Sequence, residues 1–487
     1  MKTKNLLFYF IVFVADIRAQ ECNCLESFNW MVSTFEKNDA GFQYIVDKKG
    51  TADYQKHTAL YLEKSKAAFT LKNCQAVMFE WLLYFRSGHI GVNIKPENNN
   101  ENIPVDKEIR LKYSREKKID LSEKTLLKLL SKKQTKHPIE GVWQNGNYTI
   151  GIISNEKSTT TFIGFILKAD SVYWMPGQIK AEFRLNNDRV NFSVNYFMRD
   201  HSKQITEAKF INNAQTILQL NGDFWTRSYP QEQLSKTELV KMLFYNSELP
   251  FIEKLSEQTV YLRIPSFLIS SKKNIDSVLT KNDSLISSTQ NLIIDIRNGT
   301  GGSDDSYKNI IPYLYTQPIR HVGMQLLATE LNAMCYENYA LQTSDTQNVN
   351  YCNRIATKMR ANIGQFITLS DQNYSIDSLE HVLPLPKKIA ILCNKYNGST
   401  DEQFLIDAKQ SLKVKVFGQP TGGMLDISNG NIVDFPNGKF QLFYCTSKSY
   451  RIPKYCIDGV GVQPDYFIDD TIDEYNWIDH TKNILEK

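Results

Sequence analysis

The chain has almost nothing that would hold it in a membrane. Across 487 residues the longest early apolar run is residues 6–15, and ten residues fall short of the roughly 20 that a spanning helix needs. No later stretch is long and apolar enough either. Charge of one sign is also missing. The formal net charge is +4 and no basic stripe carries interleaved aromatics, so nucleic acid is not an expected partner. No cysteine pair has zinc spacing with histidine, which excludes a structural metal of that kind. The glycine-rich turn 298–302 lacks the Lys-Ser/Thr ending of a phosphate loop, which excludes that mode of nucleotide binding. No cofactor is expected.

What remains is an ordinary globular composition over a length that allows roughly two to four domains, with enough apolar residues for a sizeable core. The first residues are organised like a secretory signal: Lys2 and Lys4 at the basic end, the apolar run 6–15, then Ile17-Arg18-Ala19 with a small residue at the cleavage position. The mature chain would begin near Gln20. Losing residues 1–19 removes Lys2, Lys4, Arg18 and Asp16 and takes the net charge from +4 to +2. The competing reading is a buried N-terminal strand. Cys22 invites a lipoprotein reading, but Ala19-Gln20-Glu21 is a poor lipobox, so a soluble exported protein, periplasmic or extracellular, is expected. The eight cysteines then meet an oxidising compartment. Cys335 and Cys352 bracket a polar loop and are expected to pair. Cys445 and Cys456 flank what reads as a hairpin, and Cys22 or Cys24 would reach Cys74. Cys393 lies in an apolar strand and is expected to stay free.

The run Lys388-Ile389-Ala390-Ile391-Leu392-Cys393 is short and continuously apolar, which predicts a buried strand. Gly398-Ser399-Thr400-Asp401-Glu402 follows, and residues 403–410 predict a helix. Ser399 therefore falls at a strand-to-helix turn. Its hydroxyl would be exposed at the carboxyl edge of a sheet, where the free N–H groups of the first helical turn can stabilise an oxyanion. Ser399 and Glu402 are equally the two ends of a capping box, so a catalytic reading needs support from elsewhere in the chain.

Residues 20–95 read as helical, best at Cys74, Val77, Met78, Trp81, Leu82 and Phe85, with a stop at Ser87-Gly88. His89 follows, and then an alternating strand over residues 90–94. A histidine between a helix stop and a strand is placed to act as a base, although a single histidine is more often structural. Residues 96–137 are polar and read as a linker with a short helix within 121–130. Residues 138–230 carry short strands separated by turns such as Asn145-Gly146, the pattern of a small antiparallel sandwich or barrel, with no acid, base or metal cluster. Residues 235–487 read as α/β. Val260-Tyr261-Leu262-Arg263-Ile264 and Asn291-Leu292-Ile293-Ile294-Asp295-Ile296 are strands, and the second runs into Arg297-Asn298-Gly299-Thr300-Gly301-Gly302-Ser303. A helix is expected next, then the cysteine loop 335–352, then the Ser399 segment and the strand Val414-Lys415-Val416-Phe417-Gly418.

Five segments in this order resemble the tail-specific, or C-terminal processing, serine peptidases. They are Tyr261-Leu262-Arg263-Ile264-Pro265-Ser266-Phe267, the Asp295 to Gly302 turn, Gly398-Ser399-Thr400-Asp401-Glu402, Gly418-Gln419-Pro420-Thr421-Gly422-Gly423 and Asp458-Gly459-Val460-Gly461-Val462-Gln463-Pro464-Asp465. The resemblance implies a crotonase- or ClpP-like α/β core with an N-terminal helical segment and an inserted small antiparallel β-domain. It implies Ser399 as nucleophile and an oxyanion hole from Gly301 or Gly302 with the Thr400 amide. In the Ser-Lys members the base is a lysine about two residues past the Thr-x-Gly turn. Here that turn leads to Met424, which cannot accept a proton. A branch similar to tricorn core proteases and retinoid-binding-protein repeats uses histidine and an acid instead, which makes His89 the base and Asp458 its orienter. The family's PDZ insert is not visible, and the β-rich segment takes its place in order. The expected activity is an exported serine endopeptidase acting on extended peptide or unfolded protein. The alternative, carried by Met424, is a catalytically inactive peptide- or ligand-binding protein on the same fold.

Overall fold

Phe28, Met31 and Phe35 recur at helical spacing near the N-terminal end, as do Cys74, Met78 and Trp81, and both sets are buried in one core. They belong to the first and last of four helices, Cys24–Asn38, Phe42–Lys49, Thr51–Lys66 and Leu71–Leu82. The side chains of Asn23 and Thr70 cap these two by accepting the N–H groups of Glu26 and Asn73, each at 3.2 Å. The computed structural model describes residues 22–95, 105–116, 118–134, 136–146, 148–155, 158–231 and 235–487. The leader expected at 1–19 and the start of the expected linker at 96–104 lie outside the described residues. The fold mixes helix and sheet with helices at its N-terminal end, and divides into two units.

The first unit is drawn from residues 1–98, 321–375 and 423–459. Its antiparallel sheet has the order Gly91–Ile94, Phe440–Ser449, Met324–Leu327, Phe366–Thr368, with Ile427–Asp434 also paired to 440–449. Leu442 and Tyr444 of the sheet share a core with Trp81, which meets Phe28 and Phe35 edge-on at 6.0 and 5.7 Å. The fourth helix ends earlier than the apolar spacing predicts. Leu83 is its cap, and Phe85 reaches the same core from the turns that follow. The left-handed conformation falls on His89, at φ +56°, rather than on Gly88.

The expected polar loop at 335–352 is a correction. Glu330–Gln342 and Thr346–Arg360 are two helices, capped by Thr329 and Asp345. Ala333, Tyr336, Ile355, Ala356 and Met359 form one core with Leu326 and Ile367 of the sheet, so the polar residues of the pair are outer helix faces. Cys335 and Cys352 are free thiols, one on each helix, and the expected bridge is not formed. Cys445 and Cys456 are also free, as is the buried Cys393. Cys24 and Cys74 instead lie at bridging distance, with Cα atoms 5.4 Å apart.

The second unit comprises residues 99–320, 376–422 and 460–487. The stretch read as a linker holds two helices, Val105–Ser114 and Glu123–Lys132, and Leu126 and Leu130 of the second are buried against Val142 and Phe165. Eight antiparallel strands then follow in sequence order, from Gly141–Asn145 to Asp223–Tyr229, and the last pairs with the first to close a barrel. Trp143, Phe162, Phe183, Phe192 and Trp225 fill it.

The six-stranded sheet of this unit has the order Phe251–Lys254, Thr259–Arg263, Asn291–Asp295, Lys388–Cys393, Val414–Gly418, Tyr466–Phe467, all parallel except the first. Its central strands are buried along almost their whole length, which is why they read as unbroken apolar runs. At the end of Asn291–Asp295, the Asp295 carboxylate accepts Tyr261 Oη–H at 2.9 Å, the backbone N–H of Arg297 and two guanidinium nitrogens of the same residue. Arg297 is buried with its guanidinium 4.3 Å from the Phe244 ring centre. This ion pair fixes the direction in which the chain leaves the sheet.

Candidate active site

Two neighbouring parallel strands, Asn291–Asp295 and Lys388–Cys393, deliver two turns at their carboxyl ends. Asparagines tie the turns together. Asn394 Oδ1 accepts Asn298 N–H at 3.2 Å, and Asn394 Nδ2 donates to Asn298 Oδ1 at 2.8 Å. Asn397 Nδ2 donates both to the Ile296 carbonyl at 2.6 Å and to Asp401 Oδ2 at 2.9 Å. The glycine turn is thereby held against the start of the helix Thr400–Ala408.

Ser399 stands at that start with φ +60° and ψ −124°. A residue with a side chain rarely adopts this conformation, and holding one there costs about 1–3 kcal/mol. Ser399 and Glu402 form the two halves of a capping box: Glu402 Oε2 accepts the Ser399 N–H at 3.2 Å, and the Glu402 N–H faces the Ser399 side chain. The other Glu402 oxygen accepts the Thr421 hydroxyl, and Thr421 Oγ1 accepts Val462 N–H at 2.7 Å. Glu402 thus ties the start of the helix both to Ser399 and to the Thr421 turn.

Gly301, at φ +78°, lies directly against Ser399. A Cβ there would stand 2.7 Å from Ser399 Cβ and 2.8 Å from the Gly398 carbonyl oxygen. Gly302, at φ +148°, has no room for a Cβ beside the Phe267 backbone. The Gly301 N–H is turned toward the Asp401 carboxyl. The N–H groups of Gly302 and Thr400 have no acceptor among the described residues. We expect Gly301→Ala to destabilise the protein by about 1–3 kcal/mol, the usual cost of a side chain held in such backbone. We also expect it to lower kcat/KM by about tenfold or more through displacement of Ser399. Peptide turnover measured beside thermal melting checks this, and unchanged turnover would show that the turn has room.

His89 and Asp458 lie in the first unit, whereas Ser399, Thr400, Gly301 and Gly302 lie in the second. His89 Nδ1 is 2.8 Å from the Ile427 carbonyl oxygen. A carbonyl only accepts, so Nδ1 carries the proton and Nε2 keeps its lone pair. Burial lowers the imidazole pKa below its usual 6.5, assisted by the Arg86 guanidinium and opposed by the Ile427 carbonyl and Asp458. The Arg86 guanidinium is held by both oxygens of Asp39 and donates to the His89 carbonyl at 3.0 Å.

Asp458 does not bond the imidazole. Its Oδ1 accepts the N–H groups of Leu425 and Asp426 at 2.8 and 2.6 Å, and its Oδ2 accepts that of Ile427 at 3.1 Å. Burial raises its pKa, against these amides. It organises the segment whose carbonyl holds His89. Met424 packs on the glycine before His89, since a Cβ at Gly88 would overlap its Sδ and Cγ. The Ile427 carbonyl and Asn397 had no side-chain pattern to announce them. Asp401 stood inside the quoted motif, but its burial was not visible there. Among the described residues no cluster of three or more metal-ligating side chains occurs.

Residues 258–468 match the family described as peptidase family S41. No curated protein matches the chain. Among solved structures the chain is similar to mature CPAF, at 11% identity and a TM-score of 0.48 over 95% of this chain and 96% of that one. It is also similar to the photosystem II D1 C-terminal processing protease, at 12% identity and 0.39 over 92% and 94%. A third is a putative peptidase from Parabacteroides merdae, at 16% identity and 0.35 over 56% and 77%.

Proposed function

We propose that this chain, whose residues 258–468 match peptidase family S41, is a serine-type peptidase that hydrolyses peptide bonds by acyl transfer through Ser399 with His89 as general base. In this reading Ser399 Oγ attacks the scissile carbonyl as His89 Nε2 takes its proton. The N–H groups of Gly302 and Thr400 hold the oxyanion. His89 then returns the proton to the leaving amine, and water repeats the sequence to release the acyl product. Asp458 is the orienter at one remove, through the 425–427 backbone. The observation that carries the reading is Ser399 itself: a strained residue at the start of a helix, beside two backbone donors without acceptors. Strain of this kind persists only where the surroundings over-determine it, and it gathers at reactive residues.

The peptidase family implies a peptide or protein substrate. We read it as an extended or unfolded segment, bound by adding a strand to a sheet edge. The α/β part is read as a crotonase- or ClpP-like core and the barrel as its insertion. A fluorophosphonate probe tests the chemistry, because labelling of Ser399 needs an activated hydroxyl. An unlabelled Ser399 in folded protein would overturn the proposal.

Export follows from the leader expected at residues 1–19, giving a periplasmic or extracellular enzyme. No described helix is long and apolar enough to cross a membrane. In that setting Cys24 and Cys74, 50 residues apart, should be joined. Closing a loop of that length restricts the unfolded chain by about 4 kcal/mol. Non-reducing mass mapping should recover a Cys24–Cys74 peptide and alkylated Cys335 and Cys352. A Cys335–Cys352 peptide would reverse the correction above.

A further inference from the structure

Asp401 is the one acidic side chain of the Ser399 segment to which the reading above gives no work. It is 1% exposed. Its Oδ2 accepts Asn397 Nδ2 at 2.9 Å, and its Oδ1 is buried with no hydrogen-bond partner. It presses on the glycine turn: a Cβ at Gly299 would stand 2.5 Å from Oδ2, and the N–H groups of Gly301 and Gly398 face the carboxyl. One side chain therefore touches the turn that presents Gly302 and, by its own backbone, belongs to the helix that presents Thr400.

We propose that Asp401 is a positioning residue that holds the glycine turn 297–302 to the helix carrying Ser399, and that it does so as a neutral acid. This rests on the peptidase reading of Ser399. A carboxylate at this place would be a buried charge facing only the Asn397 amide and two glycine N–H groups, with no cation among the described residues bonded to it, which is costly. Its charge would lie behind the Gly302 and Thr400 amides and oppose the oxyanion they are proposed to hold.

The charged and titratable groups around it do not remove the conflict. Arg263 acts from the strand Thr259–Arg263 and Cys393 from the strand Lys388–Cys393, while Glu402 on its own helix raises its pKa further. Arg263 is committed elsewhere, donating to the Asp295 carbonyl at 2.9 Å. Burial is the largest influence and pushes the Asp401 carboxyl up to about 7, against Asn397 and the two glycine amides. Ionisation would then shut the site down as pH rises past neutrality.

The test is a pH profile of peptide turnover for wild type, Asp401→Asn and Asp401→Ala, with thermal melts to confirm folding. Wild-type kcat should fall about tenfold between roughly pH 6 and pH 8, following the loss of the neutral acid. Asp401→Asn, neutral at every pH, should keep near-wild-type turnover at the lower pH and lose the alkaline fall. Asp401→Ala should be slow throughout, with KM little changed. A wild type without the alkaline fall, or an Asp401→Asn variant that retains it, overturns the proposal. Infrared spectra separate this from failure of the peptidase reading. The wild-type minus Asp401→Asn difference should show a protonated carboxyl at the lower pH that disappears at the higher one. Its absence overturns the neutral-acid assignment, even if Ser399 is labelled by a fluorophosphonate. A present band with unlabelled Ser399 in wild type overturns the peptidase reading, and this proposal with it.

Discussion

Ser399→Ala is expected to abolish peptide hydrolysis and fluorophosphonate labelling while leaving the protein folded, with the melting temperature lowered only slightly. The loss should be about 10⁴-fold or more in kcat, because removing a nucleophile leaves only binding and the oxyanion donors. The stability expectation follows from the cap. Glu402 makes the reach-back bond to the Ser399 amide, which the substitution keeps, and only the Ser399 side-chain half of the capping box is lost, worth about 0.5–2 kcal/mol. The backbone strain at φ +60° remains with alanine. Only a glycine would relieve it, so Ser399→Gly should melt higher than Ser399→Ala. If Ser399→Ala turns over peptide at the wild-type rate, the nucleophile is another residue.

His89→Ala should cost about 10²–10⁴-fold in kcat/KM, the usual contribution of a general base. The pH dependence carries more information than the size. The folded imidazole titrates below its usual 6.5 because burial disfavours the cation. The part of the pH profile set by His89 should therefore be a fall on the acidic side as the pH drops through that lowered value. His89→Ala should lose this acid limb together with the rate. Met424→Lys in the His89→Ala background should not restore activity, since Met424 packs on Gly88 and a lysine there would have to leave that contact or bury its charge. Retention of both rate and acid limb in His89→Ala would assign the base elsewhere.

How much of this was legible varies by residue. The strands Lys388–Cys393 and Val414–Gly418 end where their apolar runs end. A parallel strand covered on both faces has no reason to alternate, and its boundaries are written in hydrophobicity alone. The 335–352 segment misled for the opposite reason. Its helices bury a narrow stripe including Ala333, Tyr336, Ile355 and Met359, and the wide polar faces dominate the composition. The fourth N-terminal helix misled because Phe85 keeps helical spacing in a stretch that has already left the helix.

At the site, the serine, the glycines and the histidine are chemical types that a sequence displays. What holds them is mostly backbone. The carbonyl that fixes the His89 tautomer lies 338 residues away, and the amides that hold Asp458 are those of three residues with unrelated side chains. A carbonyl or an amide is present at every position and so marks none. The strain at Ser399 is equally silent, because it is a property of the turn rather than of the residue.

The barrel has a consequence for how this chain could have been assembled and could be re-engineered. Its first strand, Gly141–Asn145, pairs with its last, Asp223–Tyr229, so the chain enters and leaves at the same seam. All other pairings inside it join successive strands. A segment with coincident entry and exit behaves as a cassette: it can lengthen, shrink or be exchanged without shifting the register of the sequence on either side. Closure also leaves it no unpaired edge on which to take up a peptide as an added strand. A peptide could meet the barrel only through its side chains and loops.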